Sequence, residues 1–223
     1  MNPSRSDRKN SPRSPLRAKA QQLLPQKDHR LAFLRGFLTR PKEVGSIIPS
    51  SRFMERRIAR TAELSTARLV VELGPGTGGT TRALLRHMTP EATLLAIEIN
   101  PDFVRLLGRT IQDPRLIVHH GSATEIPSIL AEHGLGAPDV ILSGIPFSTM
   151  ERALGTAILR SVRDSLSPAG RFVAYQFRDR VHTLGQGVFG RASVQTELRN
   201  VPPMRIYRWD VQPPPRGERA LRA

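Results

Sequence analysis

A chain of 223 residues without a single cysteine excludes a disulfide framework and a thiolate metal site, and its length suits one domain of ordinary size with flexible ends. Lys and Arg number 34 against 19 Asp and Glu, a formal net charge of +15 at pH 7; such a surface suits a polyanion, nucleic acid or an anionic membrane, although a basic bias of the whole proteome leaves the same mark without a partner. The six histidines form no H-E-x-x-H pattern, so no metal is expected, and no apolar run reaches the length of a bilayer span or a secretion signal, which predicts a cytoplasmic protein, soluble or peripherally attached.

Residues 1–27 are rich in Ser, Pro, Arg and Lys and bury too little apolar surface to fold, so a disordered basic arm is expected there. Residues 28–66 are expected to hold N-terminal amphipathic or lid helices. In the first, 29–39, Leu31, Leu34 and Leu38 share a face flanked by Phe33 and Phe37, with Arg30 and Arg35 elsewhere on the wheel. Such a helix either lies in a membrane interface or docks on the domain core, and a lid helix can do both. Ser51 is the candidate N-cap of the second, over 52–63.

Strands and helices then alternate. Strands are expected at 69–73, 93–98, 115–119, 139–143 and 171–177. Helices are expected at about 79–88, after Asn100 as cap with Pro101 in the first position, at 124–133, and from a Ser148–Glu151 capping box to about Ser165. Two last strands, 192–199 and 204–211, are joined by Asn200-Val201-Pro202-Pro203 and followed by a frayed tail, 212–223. The pattern predicts an α/β fold: a mostly parallel sheet with helices on both faces and a C-terminal antiparallel hairpin.

The first strand runs into Glu72-Leu73-Gly74-Pro75-Gly76-Thr77-Gly78-Gly79, and the second ends in Glu98 followed by Ile99. Glycines without a Cβ let backbone approach a ligand closely. A carboxylate at the tip of the second strand can accept hydrogen bonds from both ribose hydroxyls. Gly74, Gly76 and Gly79 also fit the dinucleotide fingerprint. Against that reading, Glu72 would set negative charge beside a cationic cofactor, and Pro75 removes an N–H that a pyrophosphate uses. The string Glu72 to Gly78 resembles motif I of the class I methyltransferases. The resemblance implies S-adenosylmethionine as cofactor, a Rossmann-like core over 67–211, and Glu72, Gly74, Pro75, Gly76, Thr77, Gly78, Glu98 and Ile99 around it. After the third strand that family often carries Gly-Asp-Ala, the Asp bonding adenine. Here the residues are Gly121-Ser122-Ala123, with Glu125 near enough to substitute.

The acceptor belongs beside the loop after strand four, Ser143-Gly144-Ile145-Pro146-Phe147. Ribosomal RNA adenine dimethylases have an Asn-Leu-Pro-Tyr-like loop there, and Gly144 stands where their amide would be. Phe33 to Leu38, Pro41-Lys42-x-Val44-Gly45-Ser46-Ile47-x-Pro49-Ser50-Ser51, the Ser143–Phe147 loop and Asn200-Val201-Pro202-Pro203-Met204-x-Ile206-Tyr207 together are similar to bacterial phospholipid N-methyltransferases. This implies methylation of phosphatidylethanolamine and its methylated products at an anionic membrane, on the inner face of the cell membrane. A nucleic-acid methylase and a small-molecule methyltransferase are the alternatives. No carboxylate lies in the loop, so the carbonyls of Ser143 and Gly144 are expected to orient the amine while water takes its proton. Phe147 is expected to pack on cofactor or acceptor. Tyr175 and Tyr207, the only tyrosines, are candidates to face a cationic headgroup, the alternative for each being a half-buried sheet residue.

Overall fold

The computed structural model describes residues 52–199 and 203–211. The basic arm, the helix expected at 29–39, Ser51, residues 200–202 and the tail lie outside them.

Seven runs rich in Val, Ile and Leu form one sheet. They are β1 (Leu69–Leu73), β2 (Thr93–Glu98), β3 (Leu116–His120), β4 (Val140–Ser143), β5 (Arg171–Gln176), β6 (Ser193–Glu197) and β7 (Met204–Asp210), in the order β3-β2-β1-β4-β5-β7-β6. The first five are mutually parallel; β7 inserts antiparallel between β5 and β6. The chain steps outward from β1 to β3, then returns to lay β4 on the other side of β1. That reversal makes a crevice at the carboxyl ends of β1 and β4, where open α/β sheets bind ligands.

The central strands read as continuous apolar runs because both their faces are covered. Side chains alternate between faces. Val71, Leu73, Ile141 and Phe172 point to one side, where α4 (Ile126–Glu132), α5 (Arg152–Ser165) and α6 (Arg180–Phe189) cover them. Val70, Leu94, Leu142 and Val173 point to the other, under α1 (Arg52–Ala62) and α2 (Gly79–His87). Met54, Ile58 and Ala62 of α1 are wholly buried there, so this helix is part of the core. Arg57 on α1 is also paired with Glu197 of β6 at 2.7 Å.

Local signals hold where the chemistry is local. Asn100 caps α3 (Pro101–Thr110) by accepting from the Asp102 amide at 2.9 Å. The Ser148–Glu151 capping box does not form. Phe147–Thr149 coil into a 3-10 turn closed by the Thr149 amide on the Pro146 carbonyl, and α5 starts at Arg152 with no side-chain cap. The helix expected at 124–133 starts at Ile126, because the Ser122 hydroxyl binds the Thr124 amide and holds a turn.

Helix α6 carries no clear helical signal in the sequence, since Gly185 and Gly187 weaken its pattern. Gly185 is needed there: a Cβ would lie 2.5 Å from Trp209 Cζ2. Gly185→Leu is therefore expected to cost about 2–3 kcal/mol by overpacking, read as a lower urea midpoint with an unchanged slope.

Candidate active site

The glycine turn sits at the end of β1, and its three glycines do different work. Gly74, Gly76 and Gly78 all have positive φ, between 55° and 82°, a region L side chains rarely adopt. A Cβ on Gly78 would strike Leu107 at 2.6 Å, so this glycine lets α3 close on the turn. A Cβ on Gly74 would meet Ile145 Cγ1 at 3.0 Å, so the turn abuts the loop after β4. At Gly76 nothing lies within 4 Å, which leaves its backbone open to a ligand. Pro75 is buried and Thr77 exposed beside it.

Glu98 ends β2 and is 6% exposed. Its Oε2 accepts from the Gly76 amide at 3.0 Å and its Oε1 from the Asn100 amide at 2.9 Å. The carboxylate thus ties the glycine turn to the tip of β2. It offers about four lone-pair directions, so acceptor capacity is left on both oxygens. Burial raises its pKa, with the Asn100, Gly76 and Ile99 amides opposing. The Ile99 carbonyl is engaged by His120 Nε2 at 3.1 Å.

Glu72 lies within β1 on the face covered by α1 and α2, 1% exposed. Thr81 of α2 donates to Oε2 at 2.7 Å, and Oε1 has no partner among the described residues. Desolvation pushes its pKa up to about 8. The negative charge expected at this position is therefore mostly protonated at pH 7. A cation held at the turn would favour the carboxylate and reverse that.

The Gly121-Ser122-Ala123 segment follows β3 directly, its Gly121 amide bonded to the Glu98 carbonyl at 3.0 Å. The Ser122 hydroxyl lies 2.8 Å from that of Thr124. Glu125 is exposed at the start of α4, with no side-chain capping bond.

In the loop after β4, Ser143 is fully buried and its Oγ accepts from the Ile145 amide at 3.2 Å. Gln176 Nε2 donates to the Ile145 carbonyl, and the Pro146 carbonyl accepts from Thr149. Phe147 differs from expectation. It is 0% exposed, belongs to the core cluster shared with α5 and α6, and anchors the loop from beneath. The tyrosines differ too. Tyr207 is 1% exposed, its ring stacked with His182 at 5.4 Å, and its hydroxyl has no partner among the described residues. Tyr175 is 2% exposed, with its hydroxyl 3.0 Å from Thr80 Oγ1. Neither presents an open ring face to a headgroup, because both strands are covered by helices.

Thr80, Thr81 and Gln176 hold this site together and were not singled out from the sequence. Nothing in their spacing marks them, since each partner lies on another element. Among the described residues, His119, Glu132 and His133 place ligand-type atoms within 4.8 Å of one another. The two imidazoles meet at 3.0 Å, His119 Nδ1 to His133 Nε2, a distance that one shared N–H···N bond satisfies.

Residues 70–170 match the family described as methyltransferase domain. Over 177 residues the chain is 30% identical to the ornithine lipid N-methyltransferase of Singulisphaera acidiphila, covering 78% of this chain and 92% of that one. Over 147 residues it is 32% identical to the ribosomal RNA small subunit methyltransferase A of Parasynechococcus marenigrum, 64% of this chain but 47% of that one. Among solved structures it resembles the O-methyltransferase TomG of Streptomyces achromogenes in complex with SAM, with TM-score 0.60 and 14% identity over 88% of this chain and 95% of that one. It also resembles the N-methyltransferase NodS of Bradyrhizobium japonicum WM9 in complex with S-adenosyl-l-homocysteine, with TM-score 0.57 and 14% identity over 78% and 97%. At such identities the structural likeness is one of fold. The open backbone at Gly76, the spare acceptors of Glu98 and the unpartnered oxygen of Glu72 among the described residues fit S-adenosylmethionine, the kind of ligand held in both of these solved structures. The chain belongs to the class I S-adenosylmethionine-dependent methyltransferases.

Proposed function

We propose that this methyltransferase acts on the amine of phosphatidylethanolamine and its methylated products at a membrane surface. The observation that carries this reading is Gly144. The loop amide of the RNA adenine methylases is missing there, and a Cβ at that position would lie 2.5 Å from the Tyr175 hydroxyl. The relative named as an ornithine lipid N-methyltransferase supports a lipid amine acceptor.

S-adenosylmethionine supplies an activated methyl group on a sulfonium. The chain's own residues bind and orient. Glu98 would accept hydrogen bonds from the ribose hydroxyls, Gly76 would let backbone lie close to the cofactor, and Glu72 would answer the positive charge. Ile99 and Gly121-Ser122-Ala123 would frame the adenine. The acceptor nitrogen must lie roughly 3 Å from the methyl carbon, in line with the departing sulfur. Ser143 and Gly144 carbonyls orient the amine N–H groups, and water accepts the proton. The basic residues of the segment 1–42 hold the enzyme on anionic lipid, at about 1 kcal/mol per basic residue near the surface.

Relatives named as ribosomal RNA methyltransferases favour a second reading, a nucleic-acid acceptor, which the charge of +15 also suits. Methyl-labelled S-adenosylmethionine separates the two. Purified protein is incubated with vesicles of phosphatidylethanolamine plus anionic lipid, with vesicles containing ornithine lipid, and with ribosomal RNA. Label in phosphatidylethanolamine, migrating as mono-, di- or trimethylated product, is expected. Label in ornithine lipid alone would move the substrate, and label in RNA alone would overturn the lipid reading. Deleting residues 1–38 is expected to cut activity on vesicles about tenfold or more while cofactor affinity holds.

A further inference from the structure

One oxygen atom touches both halves of the site. The Tyr175 hydroxyl lies 3.0 Å from Thr80 Oγ1, in the first turn of the helix that follows the glycine turn. On its other side it rests against Gly144, in the loop after β4: a Cβ built on Gly144 would be 2.5 Å from the hydroxyl oxygen and 3.2 Å from the ring carbon that bears it. The ring is 2% exposed and packed in the core cluster under α1 and α2, so the hydroxyl cannot swing aside.

The strand ladder alone does not set the spacing these contacts fix. β1 and β4 are neighbours, in register from Val70–Val140 to Leu73–Ser143. The ladder ends there, with one further bond from the Gly144 amide to the Leu73 carbonyl at 3.2 Å. Past that point the glycine turn and the loop stay close without further ladder bonds, a Cβ on Gly74 meeting Ile145 Cγ1 at 3.0 Å, and in the function proposed above the turn serves the cofactor and the loop the acceptor. In-line methyl transfer depends on their separation to within a fraction of an ångström. Two glycines, each with a side chain against its Cα, set it: Gly74 against Ile145 and Gly144 against Tyr175.

We propose that Tyr175 is a positioning residue that acts as a spacer, its hydroxyl bracing the acceptor loop at Gly144 against Thr80 at the start of α2, just past the cofactor turn, and so fixing the distance between methyl donor and acceptor nitrogen. Position 144 is glycine because the spacer occupies the place of its side chain. The phenol thus reaches from the next strand into the space that a side chain at position 144 would fill. The proposal rests on 143–147 being the acceptor loop, as in the function proposed above, but not on the acceptor being a lipid.

The test is a double-mutant cycle on the full chain with Tyr175→Phe and Gly144→Ala, assayed on whichever acceptor the wild type labels, lipid or RNA. Tyr175→Phe keeps the ring and its packing and is expected to lower kcat about tenfold, with dissociation constants for S-adenosylmethionine and S-adenosylhomocysteine changed by less than about twofold. Gly144→Ala alone is expected to lower kcat further. In the Phe background the same change should cost less, because the nearest atom retreats from 2.5 to 3.2 Å. Thr80→Val should reproduce the Tyr175→Phe kinetics without touching the ring. Unchanged kcat in Tyr175→Phe, a loss of kcat matched by loss of cofactor affinity, or strict additivity in the cycle each overturns the spacer. Label in RNA with the cycle behaving as described overturns the lipid reading and leaves the spacer standing. Label in no acceptor overturns both.

Discussion

Glu98→Ala should weaken S-adenosylmethionine binding about a hundredfold, measured by titration calorimetry, with the fold retained. Hydrogen bonds to a charged group contribute about 1.5–3 kcal/mol each, and two ribose hydroxyls are at stake. The change also frees the Gly76 and Asn100 amides, now held at 3.0 and 2.9 Å, so the turn loses its tie to β2. Glu98→Gln keeps one acceptor oxygen and most of the shape, and a loss of about tenfold is expected. The pH dependence has a definite sign. Burial raises the Glu98 pKa, so cofactor affinity should fall as pH drops toward the carboxylate range and this acceptor takes up a proton. An alanine variant that binds the cofactor as tightly as wild type would remove Glu98 from the site.

Glu72→Gln has two expected effects, on stability and on ligand choice. The folded-state pKa, pushed up to about 8, stands above the ordinary carboxyl value of 4.5. A group raised in this way contributes its full stability below its unfolded pKa and loses it as pH rises through the folded one. Each pH step in that window costs the wild type about 1.4 kcal/mol. Glutamine stays neutral throughout. The variant should therefore nearly match wild type near pH 5 and exceed it by about 4 kcal/mol at pH 8, roughly 10 °C in Tm. Thr81, at 2.7 Å, can accept from the amide in place of donating to the acid, so the buried pair stays satisfied.

The ligand effect follows from charge. The neighbouring acid, Glu98, raises the Glu72 pKa further, and the facing Tyr175 hydroxyl is itself held protonated by burial and by Glu72. No Lys or Arg is hydrogen-bonded or ion-paired to Glu72 among the described residues. A sulfonium at the turn would be its counter-charge. Glu72→Gln should thus weaken S-adenosylmethionine about tenfold and leave S-adenosylhomocysteine nearly unchanged, since the product has lost that charge. Equal losses for both ligands would mean that Glu72 shapes the turn without answering the charge.

Interactions within a few residues of each other were legible in the chain. Short apolar runs predicted the buried strands, because strands covered on both faces are built mainly of such residues. The Asn100-Pro101 cap and the glycine turn were visible because each closes on its own neighbours. The turn and its distant acid, Glu98, were legible as parts of one motif, and the structure ties them together through the Gly76 amide at 3.0 Å. What only the tertiary structure decided is whatever depends on two elements meeting. Helix α6 was hidden because Gly185 answers to Trp209 on a strand far along the chain. Phe147 and Tyr207 looked available to a ligand, but covering helices sealed them into the core. Glu72 reads as a charge in the sequence, yet desolvation under α1 and α2 makes it an acid that keeps its proton. Gly144 reads as a missing amide, and only the packed sheet shows the Tyr175 hydroxyl standing in its place. Burial and distance are properties of how elements pack, and no local pattern of residue types encodes them.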